Sequence, residues 1–250
     1  MSSTALRIAS TGALLITLVV NALANILPIN GLNTGEVSAL YPSLFTPAGI
    51  TFSIWTVIYI LLIGFVVFSW LNRSDARIDR LQSWFIVTCV LNASWILVWH
   101  FLLPALSVVV MLMLLGALLT IFRIIQSSQF LSTKEIICVS LPFTFYLAWI
   151  CVATIANVSA LLVSAEWQGG FLSPEIWTVL MMVVAAILGF VVTRQFGTPA
   201  FIFVVMWALL GIYIRWQDSE YKLIVTSAIL LEVVLAGFLI YYFKSRKVSH

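Results

Sequence analysis

Charge is what this sequence has least of. Asp, Glu, Lys and Arg make up 8% of its 250 residues, against about 25% in an ordinary soluble domain. So few charges cannot cover a water-facing surface, which excludes a soluble globular protein. The net charge of +3 does not point to nucleic acid, because the basic residues sit in short connectors and near the C-terminus rather than in one patch. Histidine is nearly absent: His100 and His250 are the only two, and one distant pair gives a histidine-based metal centre no support. The cysteines Cys89, Cys138 and Cys151 fall inside apolar runs without a CxxC pair, so neither a disulfide framework nor a thiolate metal site is indicated. There is no Ser-His-Asp set, no glycine-rich phosphate loop and no pair of carboxylates. The expectation is a protein that is not an enzyme.

What fills the chain instead is apolar. Hydrophobic residues make up 63% and the mean hydropathy is +1.15. A membrane-crossing helix needs about 20 mostly apolar residues. Eight segments meet or approach that: 8–27, 47–71, 81–103, 105–125, 136–163, 176–193, 200–214 and 223–243. The seventh is short. Only Pro104 separates the third from the fourth, the join of a tight helical hairpin, since proline suits the first position of a helix. Pro28-Ile29-Asn30-Gly31, Gln168-Gly169-Gly170 and Gly197-Thr198-Pro199 punctuate other connectors. The fold class is all-α, a polytopic transmembrane helical bundle of about eight helices.

Basic residues set the orientation. With eight spans, Arg7, Arg73, Arg77, Arg80, Arg123, Lys134, Arg194, Lys244, Arg246 and Lys247 share one side. Arg215 and Lys222 stand alone on the other, with Glu36, Glu166 and Glu175. Ten against two places both termini in the cytoplasm of a multi-pass cell-membrane protein. Ala22-Leu23-Ala24 also reads as a signal-peptidase site. The apolar run continues past it, with Thr17, Asn21 and Asn25 on one helical face, so a retained first helix is favoured.

Residues three, four and seven apart share a helix face. Phe52, Trp55 and Tyr59 form one aromatic stripe; Asn92, Trp95 and Trp99 a second; Tyr146, Trp149, Ala153 and Asn157 a third. Amide side chains at membrane depth need partners, so these stripes face the bundle interior. Two readings stay open: plain helix–helix packing, or an indole-lined pocket for a flat apolar ligand. Trp70, Trp84, Trp167 and Trp216 lie near span ends and read as interfacial anchors. His100 reads as an interfacial histidine, with an axial haem ligand the lesser alternative. Glu232 is the only carboxylate deep inside a span. It is either a proton-coupling group or a hydrogen-bonded acid that holds the last helix in place.

Three stretches resemble one family. The second span runs Thr46-Pro47-Ala48-Gly49-Ile50-Thr51-Phe52-Ser53-Ile54-Trp55-Thr56-Val57-Ile58-Tyr59. The third has Asn92-Ala93-Ser94-Trp95 and then Phe101. The fifth has Tyr146, Trp149, Ala153, Thr154 and Asn157. These are similar to the motifs of the tryptophan-rich sensory proteins (TspO, the translocator protein family). Ala48 stands for that family's second proline, the tryptophan that follows is missing, and Phe145 replaces a proline, with Pro142 about a turn earlier. The resemblance covers residues 1–165 as a five-helix core and leaves 166–250 as three additional transmembrane helices. It implies a binding or sensory protein with Trp55, Tyr59, Asn92, Trp95, Tyr146, Trp149 and Asn157 around a flat lipophile, a tetrapyrrole such as haem or protoporphyrin, or a sterol-like molecule. No cofactor is required, bound porphyrin or haem being ligand. The expected partners are membrane lipids, that lipophile and a second copy in a homodimer. The rival reading is a small proton-coupled transporter or exporter that uses Glu232.

Overall fold

The computed structural model describes residues 2–27, 29–72, 75–128, 132–167 and 169–247, with side chains through 245. Pro28, Arg73, Gln168 and His250 lie outside the described residues, as do the side chains of Arg246 and Lys247. The long helices are α1 (Ser3–Ile26), α3 (Ile54–Leu71), α4 (Ala76–His100), α5 (Pro104–Ser128), α7 (Leu141–Ser164), α8 (Pro174–Phe196), α9 (Ala200–Trp216) and α10 (Lys222–Lys247). A one-turn α2 (Thr34–Ala39) and a 3-10 segment (Gly49–Ser53) lie between α1 and α3. The turn α6 (Thr133–Glu135) and a π segment (Ile136–Ser140) lead into α7. No strand occurs among the described residues.

Seven of these elements are long and apolar enough to cross a membrane. The exception is α9, whose 17 residues span roughly 25 Å at 1.5 Å per residue, short of the roughly 30 Å hydrocarbon core. It is the short seventh segment of the sequence. Buried positions nonetheless run the length of α9, which packs on α7, α8 and α10. Early helices pack in order: α1 on α4 and α3, α4 on α5, α5 on α7. Outward faces carry apolar side chains, such as Leu15, Ile60, Val109 and Val233, as a lipid solvent demands.

Local chemistry explains the element ends. Pro104 opens α5 as its spacing suggested. Gly197, at φ 68°, ends α8 in the left-handed conformation that glycine adopts without a Cβ penalty. Asp75 caps α4 by accepting from the Arg77 amide, and the Arg77 side chain beside it holds its carboxyl below the usual carboxylate range. Pro142 has no N–H to donate, and the turn before it widens so that the Leu141 amide reaches the Ile136 carbonyl.

Phe65, Phe85 and Phe143 lock α3, α4 and α7 together, with ring centroids 4.8–5.9 Å apart. At the end of the bundle that holds the start of α1, Arg7 is fully buried. Its guanidinium donates to the Ser69 carbonyl (2.7 Å) and the Asn72 carbonyl (3.0 Å) of α3 and pairs with Asp79 of α4 at 2.9 Å. It thus clamps three helices, satisfying the free carbonyls that end α3. From sequence, Arg7 counts among the charges that set topology, and nothing there marks it as a clamp. Phe190 of α8 meets Phe238 of α10, and Trp216 at the end of α9 reaches the α1–α3 linker. These contacts put the start of α1 and the end of α10 at the same end of the bundle.

Candidate functional site

The aromatic stripes converge at the linker end of the bundle. Trp55 of α3 is the hub. It stacks on Tyr59 (5.4 Å, 21°) and meets Tyr146 and Trp149 of α7 edge-on at 5.7 and 6.4 Å. Phe52 closes on Trp149 at 6.1 Å. On α4, Trp95 stacks on Trp99 (5.7 Å, 14°), and Tyr41 of the linker packs on Trp99. Such offset and edge geometries suit the ring quadrupoles.

Between the two aromatic groups lies a cavity of about 50 Å³, walled by Phe52, Trp55, Trp95, Trp99, Trp149 and Asn157, with Thr34 and Ser38 of α2 above. Trp149 is 2% exposed and its indole N–H has no acceptor. A buried donor without a partner is uncommon and costs about 1–3 kcal/mol. Next door, a groove of about 640 Å³ runs between α1 and α3, lined by Asn21, Asn25, Thr56 and Tyr59. It shares Thr34, Phe52 and Trp55 with the cavity, so the Trp55 and Phe52 rings form the partition.

The two amides behave as interhelical ties. Asn92, 1% exposed, accepts from Asn21 of α1 (2.9 Å) and donates to the Tyr146 hydroxyl of α7 (3.0 Å). Asn157 accepts from the Trp95 indole (3.2 Å) and donates to Ser107 of α5 (2.8 Å). Asn157 still faces the cavity; Asn92 and Tyr146 do not line it, and Tyr59 lines the groove. Of the seven residues named from sequence, Trp55, Trp95, Trp149 and Asn157 therefore meet at one void.

His100 is fully buried with both ring nitrogens engaged. Nδ1 contacts the Ile29 carbonyl and Nε2 the Thr34 hydroxyl, each at 3.2 Å. The pairing closes if Nδ1–H donates and Nε2 accepts from threonine. Asn30 adds a bond to the His100 carbonyl (3.0 Å). These contacts pin the linker, and with it α2, over the cavity. Sequence reading passed over α2, although Asn33 and Glu36 form a reciprocal capping box whose N-x-x-E spacing was visible.

The linker's far side is held by α9. The Thr51 carbonyl accepts from the Trp207 indole (2.9 Å), Leu44 from Trp216 (2.9 Å) and Thr46 from Arg215 (3.3 Å). The Ala48 amide donates to the Gly211 carbonyl (2.9 Å). A Cβ on Gly211 would overlap Thr51 and press on Pro47, so glycine is what lets the backbones touch. Irregular backbone within apolar surroundings needs such partners.

The family model for TSPO-like protein matches residues 7–241. The chain belongs to the TSPO-like protein family. The match runs through α8 and α9 and most of α10, helices that the three sequence motifs do not reach. No curated protein and no solved structure matches this TSPO-like chain. Glu232, on α10 of this family member, is half-buried with its Oε1 enclosed and unbonded, beside the α9 backbone at Leu210.

Proposed function

We propose that this TSPO-like membrane protein is a binding and sensory protein, not an enzyme, that receives a flat lipophilic ligand in the aromatic chamber of α3, α4 and α7. The observation that carries the reading is the unspent indole N–H of Trp149, buried beside a void whose other walls include the rings of Phe52, Trp55, Trp95 and Trp99. A tetrapyrrole such as protoporphyrin or haem, or a sterol-like molecule, offers a broad apolar face for the indoles and a polar edge for that donor. Small-molecule sites usually measure about 300–1,000 Å³, so a cavity of about 50 Å³ is a closed state. Rotation of Trp55 and Phe52 would join it to the α1–α3 groove and bring the space into that range. A ligand dissolved in the bilayer would then arrive sideways between α1 and α3.

The test is a titration of the purified protein with protoporphyrin, haem and a sterol, followed by tryptophan quenching. Saturable quenching by one of them, weakened in Trp55→Ala and Trp149→Ala, supports the chamber. If the parent binds none of the three, the reading fails, and a proton-coupled transporter built on Glu232 becomes the better account. An ionisable carboxyl in the last span, its Oε1 enclosed and without a partner, is the observation favouring it.

A further inference from the structure

A second cavity, of about 520 Å³, lies between α7 and α8, roofed by linker residues Pro42–Phe45. It arises because α7 and α8 each lean on α9 far more than on each other, which leaves a cleft along their shared side. Its walls include Thr154, Val158 and Leu162 of α7 and Thr178 and Met181 of α8. Trp167 and Trp177 stand at the mouth with ring centroids 5.5 Å apart.

The lining says what the cleft would hold. Each of its helix hydroxyls is already spent on its own backbone: Thr154 on Ile150, Ser159 on Ile155 and Thr178 on Pro174, at 2.6–2.9 Å. The Trp177 indole is spent on the Gly169 carbonyl (2.7 Å). No charged side chain lines the walls, so nothing inside compensates a buried charge or a rich set of hydrogen bonds. Glu166 and Glu175 sit on the segments that frame the mouth, which disfavours an anionic head. Paired indoles at a helix end are the usual chemistry of a membrane–water boundary. We infer that the α7–α8 cleft is a lipid site that takes one chain of an uncharged, single-chain lipid, with its polar head at the Trp167–Trp177 mouth. This site is separate from the aromatic chamber and does not depend on its ligand.

The experiment uses the full chain in phosphatidylcholine nanodiscs with a diazirine-bearing monoacylglycerol. Photolabelled peptides are mapped by mass spectrometry, with and without excess monoolein. Labels should concentrate on α7 after Thr154 and on the first turns of α8, and monoolein should compete them away. Val158→Phe and, separately, Thr178→Phe fill the cleft and should remove the same labels while the protein elutes as the parent does. The fatty-acid analogue of the probe should label these positions less. Labelling that does not saturate, or that spreads evenly over the lipid-facing sides of α1 and α10, overturns the site, as does labelling unchanged in both filled variants. Should either variant fail to fold, competition on the parent decides alone.

Discussion

Trp149 and Asn92 sit close together in the bundle yet stand for different kinds of residue. Trp149 has a donor with nothing to give it to; Asn92 is engaged both as acceptor and as donor. Trp149→Ala should therefore weaken porphyrin binding by roughly 1–3 kcal/mol, the usual worth of an aromatic contact in a pocket, as read by quenching titration. Trp149→Phe should keep most of the stacking and lose only the donor's share. Asn92→Leu should instead lower the melting temperature of the solubilised protein, because it leaves the Tyr146 hydroxyl without its donor and reduces Asn21 to its bond with the Thr17 carbonyl of its own helix, at about 1–3 kcal/mol for a buried unpaired group. An Asn92→Leu protein with parental stability would show that the tie is idle. Helical spacing had put both residues on inward faces, and that much was legible. Which of them meets a void and which meets two other helices depends on what stands opposite, and periodicity along one stretch of sequence carries nothing about that. Glu232→Gln belongs at this scale too. If proton movement is the function, the variant should fold normally and lose activity or its pH-dependence; equal activity across pH would leave Glu232 a structural role.

Among the elements, α9 was the hardest to read. Its sequence is a short apolar run like any other, and Gly211 gains meaning only beside Pro47 and Thr51. Small residues at helix contacts are common in membranes, so the glycine alone did not identify its partner. Gly211→Val should push the linker off α9 and loosen the roof of both cavities. The expected readout is faster proteolysis between residues 42 and 53 and weaker porphyrin binding, with the spans still inserted. Unchanged cleavage would mean that the four linker–α9 hydrogen bonds do not position the roof. The motifs in α3, α4 and α7 were legible because aromatic residues at membrane depth are conspicuous. The linker was not, because its hold comes from backbone carbonyls, which every residue has.

At the scale of the molecule, the ten-to-two split of basic residues and the shared end of α1 and α10 rest on different physics. One is a bias of insertion, the other a matter of packing. If α9 crosses the bilayer despite its length, both require a C-terminus on the same side as the N-terminus. Reporter fusions at the C-terminus and in the 166–174 connector should report opposite sides, with the C-terminus cytoplasmic. A C-terminal reporter found outside would overturn the orientation and reduce α9 to a buried, non-crossing helix. Composition alone sufficed for the bundle; the side-by-side placement of α7 and α9 was beyond it.

The hold of α9 on the linker also sets an order in time. Trp207 lies 156 residues after the Thr51 carbonyl that it caps, and Trp216 lies 172 after that of Leu44. At ordinary synthesis rates of roughly 5–20 residues per second, the linker waits some 10–30 s for these donors. During that interval the first helices can insert and pair and His100 can hold the start of the linker, but the Leu44, Thr46 and Thr51 carbonyls lack the donors that α9 brings. A nascent chain stalled after residue 165 would therefore lack the α9 half of the linker's hold, and if the chamber binds as proposed, that binding should be complete only once α9 has left the ribosome.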